Sequence, residues 1–582
     1  MGKKEVTSFR PPYMGRNGVV SSGHGLASLA GVEILRKGGN AFDAGIATVM
    51  CLNILQPDYA GFVGVSPFIG YSAAEKNVLC YSGVGVAPEK ATIDFYRSNG
   101  YEVVPRISIL SQLIPASVDT WIAVLKRLGT MTFGEVAASA RSLAFNGFPA
   151  HGFMIRIITK NKGKFQNFPY NASIFLQTGD VPKLGELFVQ KDAARSIDLM
   201  IAAESDALKA GKSRDDALEA ARDVFYRGEI ARAIVALHEK EGGLFTYEDL
   251  AGYRGRWEAS LSTTYKDYTF HTPSTWTQGP LMLQYLNILE TCDLSAMAHN
   301  STAYINLLAG TIDLGMADRE KFFGDPDAVD VSAGLWSKEY AAVRRSLISS
   351  VKGFGELPPH GDPDTCRAVG GTLSEMISKY KDSTGTPQAD TTYACVADAD
   401  GNLFSLTPSD GGYGSPMVPG YGIILGGRMT QFRLTPGHPA ALSPGKRPTI
   451  TPAPMLVLKN GKPHMALGTP GADMQTQSML QVFLNMAEFG MNIQEAVEAP
   501  RFGSYNFPAW FSPHEYFPGR ICLEDRIDPA SRKGLKDLGR EVVDWEAWTS
   551  LSGAVCAVAF DHNTGTIHGG ADPRRESYAL GW

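Results

Sequence analysis

The chain reads Asp382-Ser383-Thr384-Gly385-Thr386-Pro387-Gln388-Ala389-Asp390 and continues directly into Thr391-Thr392-Tyr393-Ala394-Cys395-Val396-Ala397. The first run is polar, contains glycine and proline, and is typical of a flexible segment. The second run is rich in β-branched and apolar residues and predicts a strand that opens at Thr391. A polar turn, Asp398-Ala399-Asp400-Gly401-Asn402, and a further apolar run, Leu403-Phe404-Ser405-Leu406-Thr407, complete a predicted hairpin. The hydroxyl of Thr391 therefore stands where a flexible segment meets a hairpin.

A hydroxyl residue at such a junction is typical of an enzyme that cuts its own backbone and uses the new N-terminal residue as nucleophile. A threonine hydroxyl is a weak nucleophile at its ordinary pKa, and the α-amine released by cleavage before Thr391 is one recognised base for it. The alternative is that the Thr391-Thr392 pair only supplies β-branched packing at a strand start. The pair alone does not decide between the two, so the choice depends on the rest of the sequence.

Composition and charge exclude several classes of protein. The chain has 582 residues, 44% of them hydrophobic, which is enough to bury a large core. Its formal net charge of −6 argues against a nucleic-acid partner. There is no apolar run typical of a signal peptide at the N-terminus and no stretch typical of a membrane span. Seven scattered cysteines without Cys-x-x-Cys spacing favour a reducing compartment, so the sequence predicts a cytoplasmic protein with no membrane partner.

The predicted secondary structure changes along the chain. Residues up to about 90 mix helical and strand-like patches, and residues from about 110 to 380 are mainly helical. Hairpin patterns dominate after residue 391. Hairpins flanked by buried helices predict an α+β fold, a four-layer α/β/β/α sandwich with a large helical portion in the N-terminal segment. The predicted segments are 1–390, which ends in a flexible linker at 381–390, and 391–582, and the two are expected to form one intertwined core.

A second stretch with chemical interest is Leu467-Gly468-Thr469-Pro470-Gly471-Ala472-Asp473, which joins a predicted strand to a predicted helix. Residues without bulk at a helix N-terminus leave backbone N–H groups free to point at an anion. In acyl transfer that anion is the oxyanion of the tetrahedral intermediate, and the loss of one such donor typically lowers the rate by about 10²–10³. An ordinary strand-to-helix turn is the alternative for this stretch alone. Together with Thr391 in the same segment, the stretch favours a catalytic role.

The sequence predicts no metal site and no cofactor. The 11 histidines show no His-Glu-x-x-His motif or comparable ligand spacing. The loop His360-Gly361-Asp362-Pro363-Asp364 has donors that a metal could use, but its glycine and proline favour a solvated turn. There is also no Gly-x-Ser-x-Gly elbow and no phosphate-binding loop. The chemistry expected of Thr391 needs none of these groups, since the α-amine supplies the base.

Motifs spread over nearly the whole chain resemble those of the γ-glutamyltranspeptidase family. They occupy residues 30–44, 323–327, 335–340, 444–448, 468–471, 490–502 and 570–575. The resemblance implies an N-terminal-nucleophile hydrolase with Thr391 as nucleophile and new N-terminus. It also implies an oxyanion hole formed by the backbone N–H groups of Gly471 and Ala472, where alanine replaces the second glycine of the family.

The residues that bind glutamate in that family are replaced in this chain. Val84 stands where the family has an arginine for the α-carboxylate, and Gln431 stands where it has an aspartate for the α-amine. The pair Ile450-Thr451 stands where the family has two serines. Ser409 and Thr407 remain as hydroxyl residues that could support the nucleophile. A carboxylate bound beside Val84 would lack its partner, at a cost of several kcal/mol. A γ-glutamyl substrate is therefore not expected.

The predicted substrate-binding residues are Arg428, Gln431, Val84 and Thr451. Arg428 is the nearest remaining cation, and two positions for it stay open. A loop arginine commonly faces solvent; if Arg428 lines the pocket instead, it favours an acyl group with one carboxylate and no ammonium. Trp276 and Tyr413 are predicted to add aromatic walls.

The sequence thus predicts an autoprocessed amidohydrolase that hydrolyses a small-molecule amide with a non-γ-glutamyl acyl group through a threonine acyl-enzyme. Amidases and acylases similar to the family act in this way. The self-derived large and small subunits are expected to form a heterodimer, with further oligomerisation left open. Two alternatives remain: a γ-glutamyl hydrolase or transpeptidase acting on glutathione-like substrates, and an unprocessed, inactive binding protein.

Overall fold

The computed structural model describes residues 8–369 and 391–582. The predicted linker at 381–390 and the peptide bond before Thr391 lie outside the described residues. The helices are α1 Gly25–Arg36, α2 Ala41–Leu55, α3 Ile93–Ser98, α4 Ser117–Leu128, α5 Phe133–Asn146, α6 Gly152–Gln166, α7 Pro169–Phe175, α8 Lys191–Lys209, α9 Arg214–Tyr226, α10 Glu229–Glu241, α11 Tyr247–Gly252, α12 Pro280–Leu289, α13 Thr302–Phe322, α14 Lys338–Ser346, α15 Gln475–Ala487, α16 Ile493–Glu498 and α17 Pro529–Asp537.

The strands before the gap in the described chain are β1 Tyr13–Gly15, β2 Gly18–Ser22, β3 Phe68–Ser72, β4 Asn77–Tyr81, β5 Phe148–Pro149, β6 Leu187–Phe188, β7 Trp257–Glu258, β8 Leu261–Tyr265, β9 Tyr268–Thr272, β10 Gly361–Asp362 and β11 Arg367–Ala368. Those after it are β12 Ala394–Asp398, β13 Leu403–Leu406, β14 Met455–Lys459, β15 Lys462–Gly468, β16 Phe502–Ser504, β17 Arg520–Glu524, β18 Glu541–Trp545, β19 Cys556–Asp561, β20 Thr566–Ala571 and β21 Tyr578–Gly581.

Two seven-stranded sheets form the centre of the molecule. The first has the strand order β1-β20-β19-β15-β14-β9-β8, and the second has the order β21-β2-β12-β13-β3-β4-β7. The pairs within both sheets are antiparallel. Each of these two sheets contains strands from both sides of residue 391, so neither side of the chain builds either of them alone.

The two sheets pack face to face, and helices cover their outer faces. Buried side chains from both sheets, among them Val19, Cys395, Leu456 and Val558, form the layer between them. One large apolar cluster joins α1, α2 and the helices from α4 to α11 to the second sheet, and another joins α12, α13 and α15 to the first. The predicted α+β fold with an α/β/β/α arrangement is therefore confirmed.

Local sequence explains why these elements form where they do. Asn40 caps α2 with a full capping box, and every residue of α2 is buried, as its nearly continuous apolar sequence requires. The β14–β15 hairpin turns at Asn460 and Gly461, both with positive φ (50° and 75°), the conformation that an Asn-Gly turn supplies. No helix within the described residues is long and apolar enough to cross a bilayer. The cytoplasmic location stays a prediction.

The fold brings the start of β12 close to the end of β15, although the two strands belong to different sheets. Gly468 is the last residue of β15, and a Cβ atom placed on it would lie 2.2 Å from the ring of Tyr393. Only a glycine allows this approach. The Thr391 segment and the turn after β15 are therefore on the same side of the sandwich.

Candidate active site

Thr391 is fully buried and lies three residues before β12. The prediction of a strand that opens at Thr391 is wrong in this detail, because the ladder between β12 and β13 begins at Ala394. The backbone N–H of Thr392 donates to the carbonyl of Pro408 at 3.1 Å. Proline has no N–H to return that bond, so the ladder cannot extend to Thr391.

Ser409 is the hydroxyl that the fold brings to Thr391. The two side-chain oxygens, Thr391 Oγ1 and Ser409 Oγ, are 2.9 Å apart and both residues are buried. Thr407, the other predicted supporting hydroxyl, is also buried, but its Oγ1 has no hydrogen-bond partner among the described residues. Of the two, Ser409 has the geometry to orient the Thr391 hydroxyl.

Arg428 lines the site instead of facing solvent, which decides between the two positions left open by the sequence. Its side chain is fully buried in a short 3₁₀ turn, Arg428–Gln431. Its guanidinium pairs with Asp410 (Nε to Oδ1, 2.9 Å) and donates to Gln431 Oε1 at 3.1 Å and Thr451 Oγ1 at 3.4 Å. It also donates to Ser409 Oγ. Three of the predicted substrate-binding residues thus form one network that reaches Thr391 through Ser409.

Val84, the fourth predicted substrate-binding residue, lies in an apolar cluster beside this network. The cluster also contains Met429 and Ile450, which are sequence neighbours of Arg428 and Thr451. The side chain of Val84 is 1% exposed, and its backbone carbonyl accepts a hydrogen bond from Tyr253 Oη at 2.9 Å. The surroundings of Val84 are suited to an apolar group.

The two aromatic residues expected as pocket walls occupy different places. Trp276 is fully buried in the cluster that contains Val84, and its indole N–H donates to Glu258 Oε2 at 2.7 Å. Tyr413 is half-buried and packs near Phe165, with ring centroids 6.3 Å apart, and the Lys164 ammonium lies 5.1 Å from its ring. Their role as walls of a substrate pocket stays a prediction.

The predicted oxyanion turn has an unusual backbone conformation. Gly471 has φ 127° and Ala472 has φ 50°, and a 3₁₀ turn at Ala472–Met474 leads into α15. A left-handed φ costs an alanine roughly 1 kcal/mol or more, which explains why glycine would suit position 472. The turn is anchored at Asp473, whose carboxylate accepts from the backbone N–H of Trp510 at 3.1 Å.

One further segment, residues 510–512, connects this turn to the Arg428 network. The N–H of Ser512 donates to the carbonyl of Thr430 at 2.8 Å. The ring of Phe511 lies under the Arg428 guanidinium, 5.1 Å from ring centroid to Cζ. Thr391, the Arg428 network and the 471–472 turn are therefore held by one continuous set of contacts.

Comparison with known proteins decides the family. The family model described as Gamma-glutamyltranspeptidase matches residues 27–582. The chain belongs to the γ-glutamyltranspeptidase family. The resemblance drawn from its motifs is confirmed, and the chain is an N-terminal-nucleophile hydrolase by family and fold.

Relatives of this γ-glutamyltranspeptidase-family chain match it over nearly their full length. It is 33% identical over 572 residues to the glutathione hydrolase-like YwrD proenzyme of Bacillus subtilis (strain 168), covering 98% of this chain and 99% of that protein. It is 31% identical over 580 residues to the acylase ACY 1 proenzyme of Pseudomonas sp. (strain SE83), covering 97% and 94%. Its structure is similar to the crystal structure of cephalosporin acylase from Bacillus halodurans, with a TM-score of 0.84, 26% identity, and coverage of 100% and 99%.

Sequence reasoning missed two charged residues of this family member's site. Asp410 is the counter-ion of Arg428 and has a φ of 104°, a left-handed value that is rare outside glycine. Its position directly after Ser409 in the sequence could have indicated that it belongs to the site. Arg575 donates from Nη1 to the backbone carbonyl of Thr391 at 3.2 Å. Arg575 is the last residue of the family motif at 570–575, but the neighbouring sequence does not indicate its contact with Thr391.

The loop at His360 forms a turn whose carboxylates are used internally. Asp362 Oδ1 accepts from the backbone N–H groups of Asp364 and Thr365 at 3.1 and 3.2 Å. Elsewhere in the described chain, His24, His151 and Glu576 place one ligand-type atom each within 4.8 Å of one another. These three residues come from distant parts of the sequence, so their spacing gave no signal. His151 and Glu576 form an ion pair there, and His151 Nε2 lies 2.9 Å from the Leu55 carbonyl oxygen.

Asp58 is a buried carboxyl group near this trio. Neither of its carboxylate oxygens has a hydrogen-bond partner among the described residues. Burial raises the pKa of Asp58 to about 7, while the charges of His151 and Arg575 oppose the rise and that of Glu576 adds to it. Folding therefore favours the neutral form of Asp58.

We expect the stability cost of Asp58 to depend on pH. Its folded pKa lies above the unfolded value, so its contribution to stability is present below about pH 4 and is lost as pH rises to about 7. The difference between the folded and unfolded pKa values of Asp58 corresponds to about 4 kcal/mol of unfolding free energy. Relative to the native chain, an Asp58→Asn variant should gain stability between pH 5 and pH 8, measured as thermal unfolding midpoints in a Thr391→Ala background. A midpoint difference that does not change with pH would contradict this assignment.

Proposed function

We propose that this chain is an autoprocessed amidohydrolase with Thr391 as nucleophile. The observation that carries the proposal is the contact of Thr391 Oγ1 with Ser409 Oγ, 2.9 Å, inside the network of the buried Arg428. A buried threonine with an oriented hydroxyl, directly after the predicted cleavage point, supports a nucleophilic role. The relatives named as proenzymes support self-cleavage.

In the proposed self-cleavage, Thr391 Oγ attacks the carbonyl carbon of Asp390. The peptide C–N bond breaks as a C–O ester bond forms, the proton of the hydroxyl passes to the departing nitrogen, and water then hydrolyses the ester. The products are a carboxylate at Asp390 and a free α-amine at Thr391. Segments 1–390 and 391–582 are expected to stay together as a heterodimer, since both sheets contain strands from both segments.

In the proposed turnover, the α-amine of Thr391 takes the proton of Oγ as Oγ attacks the substrate's amide carbon. The backbone N–H groups of Gly471 and Ala472 stabilise the resulting oxyanion. The α-ammonium then gives its proton to the leaving amine as the C–N bond breaks, which leaves an ester on Thr391. Water hydrolyses that ester, releases the carboxylic acid and restores the hydroxyl.

The charges around the site support an acyl group without an ammonium. Gln431 is neutral and its Oε1 already accepts from Arg428 at 3.1 Å. Val84 lies in an apolar cluster, and its own side chain carries no charge to hold a carboxylate. An ammonium bound beside Arg428 would meet a like charge, which the paired carboxylate of Asp410 offsets only in part. We therefore propose a monoanionic or uncharged acyl group as the substrate class.

The test is a matched pair of chromogenic amides, glutaryl-p-nitroanilide and γ-glutamyl-p-nitroanilide, which differ only in the α-ammonium group. We expect kcat/KM to favour the glutaryl compound by about tenfold or more, equivalent to about 1.4 kcal/mol of discrimination. Butyryl-p-nitroanilide, which also lacks the carboxylate, reports what Arg428 contributes to the recognition of that group. An equal or higher kcat/KM for the γ-glutamyl compound would overturn the proposed substrate class.

γ-Glutamyl hydrolysis is the second candidate, because the relative with 33% identity is named glutathione hydrolase-like. A Val84→Arg/Gln431→Asp variant separates the two candidates further. It restores the charges that the family uses for glutamate, so it should raise the γ-glutamyl to glutaryl ratio of kcat/KM. A ratio that is already high in the unmodified chain, and that falls in this variant, would favour γ-glutamyl hydrolysis.

A further inference from the structure

Arg575 reaches the backbone of Thr391 from the C-terminal end of the chain. Its Nη1 donates to the Thr391 carbonyl oxygen at 3.2 Å, and its Nη2 donates to the Ser550 carbonyl oxygen at 3.4 Å. The guanidinium packs against two aromatic rings that contact each other edge to face, with Cζ 5.4 Å from the centroid of Tyr59 and 4.8 Å from that of Phe153. A planar cation fixed in this way presents its N–H groups in one direction.

A buried carboxyl group, that of Asp58, lies near this cation. Asp58 is fully buried, and its charge and that of Arg575 favour each other's ionised forms, although burial raises the pKa of Asp58 and lowers that of Arg575. His151 and Glu576 also act on Asp58 and form their own ion pair. The position of Arg575 is therefore set by rings and charges that do not belong to the substrate network of Arg428.

The contact between Arg575 and Thr391 becomes more important for the position of Thr391 once the peptide bond before Thr391 is cut. In the intact chain, Thr391 is covalently bonded to the chain on both sides. After cleavage, the contacts that hold the residue include the Ser409 contact of its side chain, the Arg575 bond to its carbonyl and the Thr392 N–H bond to Pro408. A misplacement of about 1 Å at a reacting atom can cost about 10²-fold in rate.

We propose that Arg575 is a positioning residue that holds the carbonyl of the N-terminal Thr391 in the processed enzyme. This inference rests on the proposed function, because it assumes that Thr391 becomes an N-terminal nucleophile. It assigns Arg575 to the turnover step more than to self-cleavage, since Thr391 is bonded to the chain on both sides before the cut and on one side after it. Loss of Arg575 should therefore affect the two reactions unequally.

The experiment compares Arg575→Met and Arg575→Lys with the native chain. We expect Arg575→Met to lower kcat for glutaryl-p-nitroanilide by about 10- to 100-fold with KM within about twofold. Its self-cleavage rate should change by less than about threefold. Arg575→Lys keeps one donor and the charge, and should recover part of kcat. The matched control is Arg344→Met, which removes another buried arginine whose partners are Asp318 and the carbonyls of Pro359 and Leu314.

A purely structural role for Arg575 predicts a different pattern. Arg575→Met would then resemble Arg344→Met, with a lower unfolding midpoint and the native kcat, and that result would overturn the inference. Equal losses of self-cleavage and turnover would overturn it as well. If Arg575→Met does not fold, Arg575→Lys must still show a lower kcat at unchanged KM. A native chain that is neither cleaved nor active on any of the three anilides would instead reject the proposed function.

Discussion

Replacing Thr391 with alanine is expected to leave one uncut chain of 582 residues with no measurable anilide hydrolysis. The Thr391 hydroxyl attacks in both proposed reactions, and its Oγ1 is the atom held at 2.9 Å from Ser409 Oγ. Removal of the nucleophile lowers kcat by about 10⁶-fold in a well-studied serine hydrolase. A denaturing gel reports the cleavage and the glutaryl anilide assay reports the turnover.

Two variants show whether that loss belongs to the hydroxyl of Thr391. Thr391→Ser keeps the hydroxyl and should still be cut. Thr392→Val alters the neighbouring buried threonine while it keeps the β-branched shape, and should be cut and active. A Thr391→Ala protein that still separates into two chains would show that another group performs the cleavage.

Arg428→Met is expected to have the second largest effect. The change leaves Asp410 buried without its counter-ion, which should lower the unfolding free energy by about 3–5 kcal/mol. It also removes the donor that holds the Ser409 hydroxyl beside Thr391. Hydrolysis of glutaryl-p-nitroanilide should fall by about 10²-fold or more, because the nucleophile loses its orientation and the acyl carboxylate its cation.

A double variant distinguishes lost stability from lost chemistry. Asp410→Asn combined with Arg428→Met removes both buried charges, so much of the lost stability should return. Activity should not return, since Ser409 and the acyl group still lack the guanidinium. Recovery of glutaryl anilide hydrolysis in the double variant would show that Arg428 only neutralises Asp410.

The parts of the fold that follow from local pattern were predictable from the sequence. The β14–β15 hairpin is encoded by an Asn-Gly turn between apolar runs, and α2 by its capping residue and apolar length. The proximity of Thr391 and Ser409 can also be predicted from the sequence, because the two residues flank the same hairpin. The start of β12 was missed by three residues, since Pro408 on the opposite strand ends the ladder.

The parts that depend on distant segments were not predictable in the same way. The burial of Arg428 requires a counter-charge from the loop after β13 and a hydroxyl from the segment before β14. Arg575 reaches Thr391 from beyond β20. No periodicity or spacing connects such residues in sequence, and only the packing of the two sheets brings them together.

The central claim, that Thr391 is a self-generated N-terminal nucleophile, is tested most directly by intact-mass spectrometry of the purified native chain. The expected result is two polypeptides, 1–390 and 391–582, that separate only under denaturing conditions, with the smaller one starting at Thr391. A single polypeptide of 582 residues, as expected of an inactive binding protein, or a new N-terminus at any other residue would contradict it.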